Sequence, residues 1–490
     1  MQLAASEGAK DKSQPQHILI LAGSLFDPRS LNFFHDQAIT VDPVSGLTSD
    51  VRPLGELDSV AVGNAVQAGD PSVIDLRRAT VLPGFVDVHV HLFLHPYSET
   101  SWDDQLTKEP LVERTVRAVA HARETLLAGF TTVRDLGTEG AGDADISLRK
   151  CLSGKHSLAP GPRYFCANRA LVPTGSYGPR SKLILNQEGV EGIIGAEVAD
   201  GVEECRKAVR RQVGAGADWI KIYAGSNHSY CAGIGKNAPN QYAILIDYRY
   251  RSRLADVSAR PAAASVATFQ TDELKALIDT AHHLGLKIAA HASTAPAIST
   301  LVKLGVDTVE HGYGVDDAAL FARMAQNGVT WVPTLAAYHT LGKGNVWARA
   351  CATFQAALTT DVKIACGGDT GVFRHGDNAL ELQLMVRLGA SWREVLRWAT
   401  LGGWECVRSK EWEGLRGKER LERIEELREG RNVVGDNEVP FGVIRKGFAA
   451  DLIATTGDLE NDFDKAVTPG SISFVMKMGK VYKKDGVALL

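Results

Sequence analysis

The sequence predicts an α/β chain: a (β/α)8 barrel carrying a small β-sandwich formed from both chain ends. Three observations lead there. Between residues 81 and 400, short apolar strands, polar loops and amphipathic helices alternate eight times, the arithmetic of a closed parallel barrel. Residues 17–80 and 439–490 instead hold short β-prone stretches between Gly, Pro and Asp turns. The residues able to bind metal fall at strand carboxyl ends, where barrel sites are built.

Residues 1–16 are expected to be a disordered tail. They lack a basic patch followed by an apolar core, so no secretory signal is predicted. The seven cysteines show no CxxC spacing, which points to reduced thiols and a cytoplasmic location. No run approaches the roughly 18 apolar residues of a membrane span. A net charge of −4 with 44% hydrophobic residues excludes a nucleic-acid surface and favours a small-molecule partner.

The first sandwich segment spans 17–80, with strands such as Ile18 to Leu21 and Ser72 to Asp75. The barrel spans 81–404. Its expected strands are Phe85 to Val88, Thr131 to Arg134, Arg163 to Ala167, Trp219 to Ile222, Lys287 to Ala290, Thr308 to Glu310, Thr330 to Pro333 and Val362 to Cys366. Thr271 is expected to cap the helix that Gly285 ends, and Gly305 to stop the next, Pro296 to Leu304. Residues 405–438, dense in Glu, Lys and Arg, read as a solvated helical connector. Residues 439–490 return to the sandwich.

The long segment 227–268 follows the fourth strand. It reads as a lid, an unstructured insertion or an inclusion from an imperfect gene model.

Chemistry begins at the run Val81 to His91, which ends in His-Val-His. Strand residues i and i+2 share a face, so His89 and His91 can grip one ion together. His291 ends the fifth strand, His311 the sixth, and Asp369 follows the eighth. A lone histidine is ordinarily a hydrogen-bonded core residue. Four histidines and an acid at successive strand ends are hard to explain that way. In the fourth strand, alternation sends Trp219, Lys221 and Tyr223 inward and both isoleucines toward the helices. A buried ammonium is costly, so Lys221 either pairs with an acid such as Glu310 or serves the site.

These motifs, with the segment from Trp219 to Ser226, the run Arg134 to Gly137 and the segment His375 to Leu382, resemble the amidohydrolase superfamily of metal-dependent hydrolases. They are most similar to the branch of Xaa-Pro, Xaa-Arg and Xaa-Lys dipeptidases, imidazolonepropionase-like proteins and fungal ochratoxinase. The resemblance implies two zinc ions bridged by a carboxylated Lys221, the first held by His89, His91 and Asp369, the second by His291 and His311. It implies attack of a metal-bound hydroxide on an amide carbonyl, with Asp369 passing the proton to the leaving amine. The expected substrate is a small carboxylate-bearing amide: a dipeptide, an N-acyl amino acid or an ochratoxin-type amide. A homo-oligomer is also implied.

Tyr223 is a catalytic and substrate-contact candidate. Tyr177, where relatives often carry histidine, Arg180, His228 and His375 are further substrate contacts. Two alternatives stay open: hydrolysis or deamination of a cyclic amide, and a non-catalytic scaffold.

Overall fold

All eight expected strands are present in the computed structural model, which describes residues 17–154, 157–177, 195–225, 268–315, 317–342, 345–424 and 436–489. The chain is α/β. Phe85–Val90, Phe130–Asp135 and Arg163–Cys166 pair in parallel. Trp219–Gly225, Lys287–Ala292, Thr308–His311, Thr330–Val332 and Lys363–Ile364 form a second parallel run. Backbone bonds link the two groups on both sides: Asp218 N to Cys166 O (2.8 Å), Val88 N to Cys366 O (2.9 Å) and Asp369 N to His89 O (2.9 Å).

The fourth strand shows how sequence dictates facing. Ile220 and Ile222 pack with Leu274, Leu277 and Ile278 of helix Thr271–His283. Trp219 points the other way, into a cluster with Val86, Val88, Ala289, Val332 and Ala365, all from strands or strand ends. Alternation therefore leaves Lys221 on the Trp219 side, away from the helix that covers Ile220 and Ile222.

Helix ends follow local chemistry, with one correction. Gln270, not Thr271, caps the helix before the fifth strand: its side chain and that of Glu273 bond reciprocally to each other's backbone N–H. The Glu273 carboxylate, three residues beyond the cap, makes Gln270 the better start. Helix Ala295–Leu304 does stop at Gly305, whose φ of +86° fits the left-handed cap.

The connector is helical, as its charge pattern suggests, but it is broken and partly buried rather than one solvated helix. Within 405–438 the charge-rich chain breaks into helix Leu401–Val407, a single turn at Lys410–Trp412 and helix Gly414–Glu422. Trp412 is buried, and Glu413 pairs with the buried Lys287 at 2.6 Å. Residues 425–435 lie outside the described residues, as do the tail 1–16 and almost all of the segment 227–268.

The two chain ends meet in one mixed eight-stranded sheet. Strand Val73–Pro83 pairs in parallel with Ile18–Asp27 and antiparallel with Leu452–Thr455. Ile20, Ile39 and Val81 share a core with Leu452, Phe474 and Met476. Among the described residues no helix is long and apolar enough to cross a membrane, and Cys151, Cys166, Cys205, Cys351, Cys366 and Cys406 are free thiols.

Candidate metal centre

The first strand delivers His89 and His91 to one face, ring centroids 5.5 Å apart. Asp369 Oδ1 lies 3.6 Å from His89 Nε2 and 3.3 Å from His91 Nε2. One ligand atom from each of the three falls within 4.8 Å of the others. His311 stands 5.1 Å from His89, and His291 4.4 Å from His311, between ring centroids.

Three of these imidazoles are held by their far nitrogen. His89 Nδ1 meets Glu310 Oε2 at 2.8 Å, and His91 Nδ1 donates to Gly137 O at 2.9 Å. Thr334 Oγ1 donates to Pro333 O and so is left to accept from His311 Nδ1, at 2.8 Å. With Nδ1 carrying the proton, a neutral ring at each position has its lone pair on Nε2, the arrangement of metal-binding histidines and their supporting partners. The backbone is strained at the same place: His311, Asp369 and Thr334 have φ of +77°, +60° and +52°.

Lys221 sits inside this ring, 1% exposed. Glu310, the acid expected to pair with it, is taken: it bonds His89, and its other oxygen accepts from Arg134 Nη2 at 2.9 Å. Among the described residues Lys221 Nζ has no hydrogen-bond partner. Burial lowers its pKa to about 8. Burial and then Lys221 lower His89 to about 4. Burial works to lower His91 too, but the bond to Asp369 lifts it to about 9. Asp369, which burial alone would raise, is held well below the carboxylate range by His89, His91 and Lys221. A cation taken by His91 and Asp369 must displace the imidazole proton. An orphaned buried nitrogen, convergent lone pairs and one anionic acid fit a metal site, and the residues present can hold one.

Above this floor opens a cleft walled by Leu94, Tyr97, Trp102, Glu139, Tyr223 and Tyr338 among others. Tyr223 reaches it as expected. Tyr177 does not line it; it is buried behind, stacked on Tyr223 at 5.6 Å with its hydroxyl donated to Glu139. His375 is likewise not on the rim. It is 1% exposed, its Nε2 held by Leu94 O at 2.9 Å and its ring stacked on His121 at 4.2 Å, so it braces the loop that carries Leu94. Arg180 and His228 lie outside the described residues. Sequence reasoning missed Glu139, Trp102 and Tyr97. Glu139 had a faint signal, a lone acid just beyond the Arg134 to Gly137 motif at the end of the second strand.

Residues 80–244 and 250–410 match the model of the amidohydrolase family. The chain belongs to that family. As an amidohydrolase it is a hydrolase acting on carbon–nitrogen bonds. It is 25% identical over 437 residues to ochratoxinase of Aspergillus niger, covering 84% of this chain and 77% of that protein. A solved Xaa-Pro dipeptidase with methionine in its active site is 26% identical, with a TM-score of 0.69 over 95% of this chain and all of that one. A prolidase complexed with N-methylphosphonate-L-proline, 24% identical with a TM-score of 0.70 over 96% of this chain and 100% of that one, shares the fold.

Proposed function

We propose that this amidohydrolase is a binuclear zinc enzyme that cleaves the amide bond of a small carboxylate-bearing substrate: a dipeptide, an N-acyl amino acid or an ochratoxin-type amide. Its two parallel strand groups are read as one closed barrel, and the end sheet as the folded sandwich beside it. The observation that carries the reading is Lys221, a buried amine without a hydrogen-bond partner among the described residues, ringed by His89, His91, His291, His311 and Asp369. Structural lysines end on an acid or a carbonyl; this one ends on ligands.

A neutral amine is the form that adds to carbon dioxide. Burial, by bringing Lys221 down to about 8, supplies that form near neutral pH. The nitrogen bonds the carbon of carbon dioxide and gives up a proton to solvent, and the carbamate so formed would be an anion able to hold cations. His89, His91 and Asp369 would hold the first zinc and His291 with His311 the second, Lys221 serving both. When bound, zinc supplies Lewis acidity and a nucleophilic oxygen near neutral pH.

The chain's own residues do the rest. Asp369, with Oδ1 turned to the imidazoles, would take a proton at its other carboxylate oxygen and return it to the leaving amine. Glu310 keeps His89 in its tautomer and orientation. Leu94, Tyr97, Trp102 and Tyr338 exclude water and orient the amide over the centre.

The test is a screen of dipeptides, N-acyl amino acids and ochratoxin-type amides with zinc-loaded protein in bicarbonate, alongside metal analysis and 13C NMR after 13C-bicarbonate. Two equivalents of zinc, a carbamate resonance and turnover within the panel are expected. A single equivalent without a carbamate signal, or no turnover across the panel, overturns the reading.

A further inference from the structure

Glu139 is the one carboxylate besides Asp369 on the cleft wall among the described residues, and the metal chemistry leaves it unused. Three donors converge on it. Tyr223 Oη donates to Oε1 at 2.7 Å, Trp102 Nε1 to Oε2 at 3.1 Å, and Tyr177 Oη to the same Oε2. Glu139 itself takes a positive φ of 49°, in the left-handed region that a non-glycine residue seldom adopts. Arg114, buried beneath the turn, donates to the main-chain carbonyls of Phe93, Thr138 and Glu139, so it fixes the loop through the backbone.

The consequence concerns polarity. A phenol has one proton and an indole N–H is a donor only. Tyr223, Tyr177 and Trp102 each direct that proton to Glu139. Toward the cleft, this wall presents the Glu139 carboxylate beside the indole of Trp102, with Tyr97 and Tyr223 also in the lining. Acceptors among aromatic rings match a cation rich in N–H. They repel a substrate carboxylate, so Tyr223 does not act here as the donor to a carbonyl or carboxylate that its place beside Lys221 suggests. The described lining also holds no arginine.

We infer that Glu139, presented with Tyr223 and steadied by Tyr177 and Trp102, binds the free ammonium group of the substrate's acyl side, making the enzyme selective for dipeptides with an unblocked amino terminus over N-acyl amino acids. This rests on the amide-hydrolase reading and narrows it. Glu139 is then a specificity residue, outside the reacting atoms.

The experiment uses a matched pair, L-alanyl-L-phenylalanine and its des-amino analogue N-propionyl-L-phenylalanine, which differ only in the ammonium. Binding to zinc-loaded protein is measured by calorimetry in an Asp369→Asn background that stops turnover. The dipeptide is expected to bind at least tenfold tighter than its analogue. Adding Glu139→Gln should remove most of that preference while leaving the analogue within about twofold. Equal binding of the two, no binding of either, or an equal loss for both in Glu139→Gln overturns the inference. Should Glu139→Gln fail to fold, Tyr177→Phe decides, since it takes one donor from the same carboxylate. The ammonium preference must then hold or grow, and a fall to parity overturns it. Turnover of the pair by the unsubstituted enzyme is followed separately. Dipeptide preference in binding without cleavage defeats the proposed cleavage of such amides and leaves the ammonium site standing.

Discussion

Lys221 and Asp369 stand 148 positions apart in the sequence yet shape each other's charge. Each yields a prediction at the scale of one residue. Asp369→Asn keeps the side chain's shape and removes the proton acceptor, so turnover should fall about 10²- to 10⁴-fold with the far-UV circular dichroism unchanged. A variant near the unsubstituted rate would remove Asp369 from the mechanism. Lys221→Met exchanges a buried amine that has no hydrogen-bond partner among the described residues for an apolar chain of similar length. Because an unsatisfied buried polar group costs about 1–3 kcal/mol, the metal-free protein should melt several degrees higher in chelator. Zinc should meanwhile drop to at most one equivalent. A lower melting temperature in chelator would mean that Lys221 has a structural partner.

At the scale of elements, the eighth strand's end controls the first. A Cβ on Gly367 would lie 2.6 Å from Val332 Cγ1, 2.8 Å from His89 Cβ and 2.9 Å from His89 N. Two of those contacts press on His89, itself one of the proposed ligands. Gly367→Ala should cost about 1–3 kcal/mol of stability and weaken zinc binding about 10- to 100-fold, as disturbed ligand support does. Zinc affinity equal to that of the unsubstituted protein would show that the first strand's position is set elsewhere. The elements themselves were legible because each is a local signal. The apolar run at Phe85–Val90 or Lys287–Ala292 announces a strand, and strand parity gives the facing of Lys221. Thr271 was misread because a glutamine cap depends on its reciprocal bond to Glu273. The placements of Tyr177 and His375 were illegible, and that of Glu139 nearly so, for a different reason. Their placement follows the path of loops over the strand ends, and no periodicity records a loop's path. The same holds for Trp102, whose role exists only where Glu139 arrives.

For the whole molecule, the buried acids set how stability changes with pH. Asp145 is raised to about 8, first by burial and then by the charge of Asp135, against 3.8 for the free group. The folded state therefore keeps a proton that the unfolded chain releases. Below about pH 4 both states are protonated and the group contributes nothing. From there to about pH 8 its cost grows by up to about 1.4 kcal/mol per pH unit, then levels off. Asp145→Asn removes that cost, so its gain in melting temperature over the unsubstituted protein should be larger at pH 8 than at pH 5. A gain that did not change with pH would mean that Asp145 is ionised in the fold.

The sheet that unites the chain ends also has a history during translation. Strand Val73–Pro83 lies between Ile18–Asp27 and Leu452–Thr455, so on the ribosome it waits with one edge bare while the catalytic strands emerge. An open edge is a template for pairing with another chain. The nascent polypeptide is thus most vulnerable to self-association just before its last strands leave the exit tunnel. Chaperone demand should peak late in synthesis, after every proposed metal ligand has already been made.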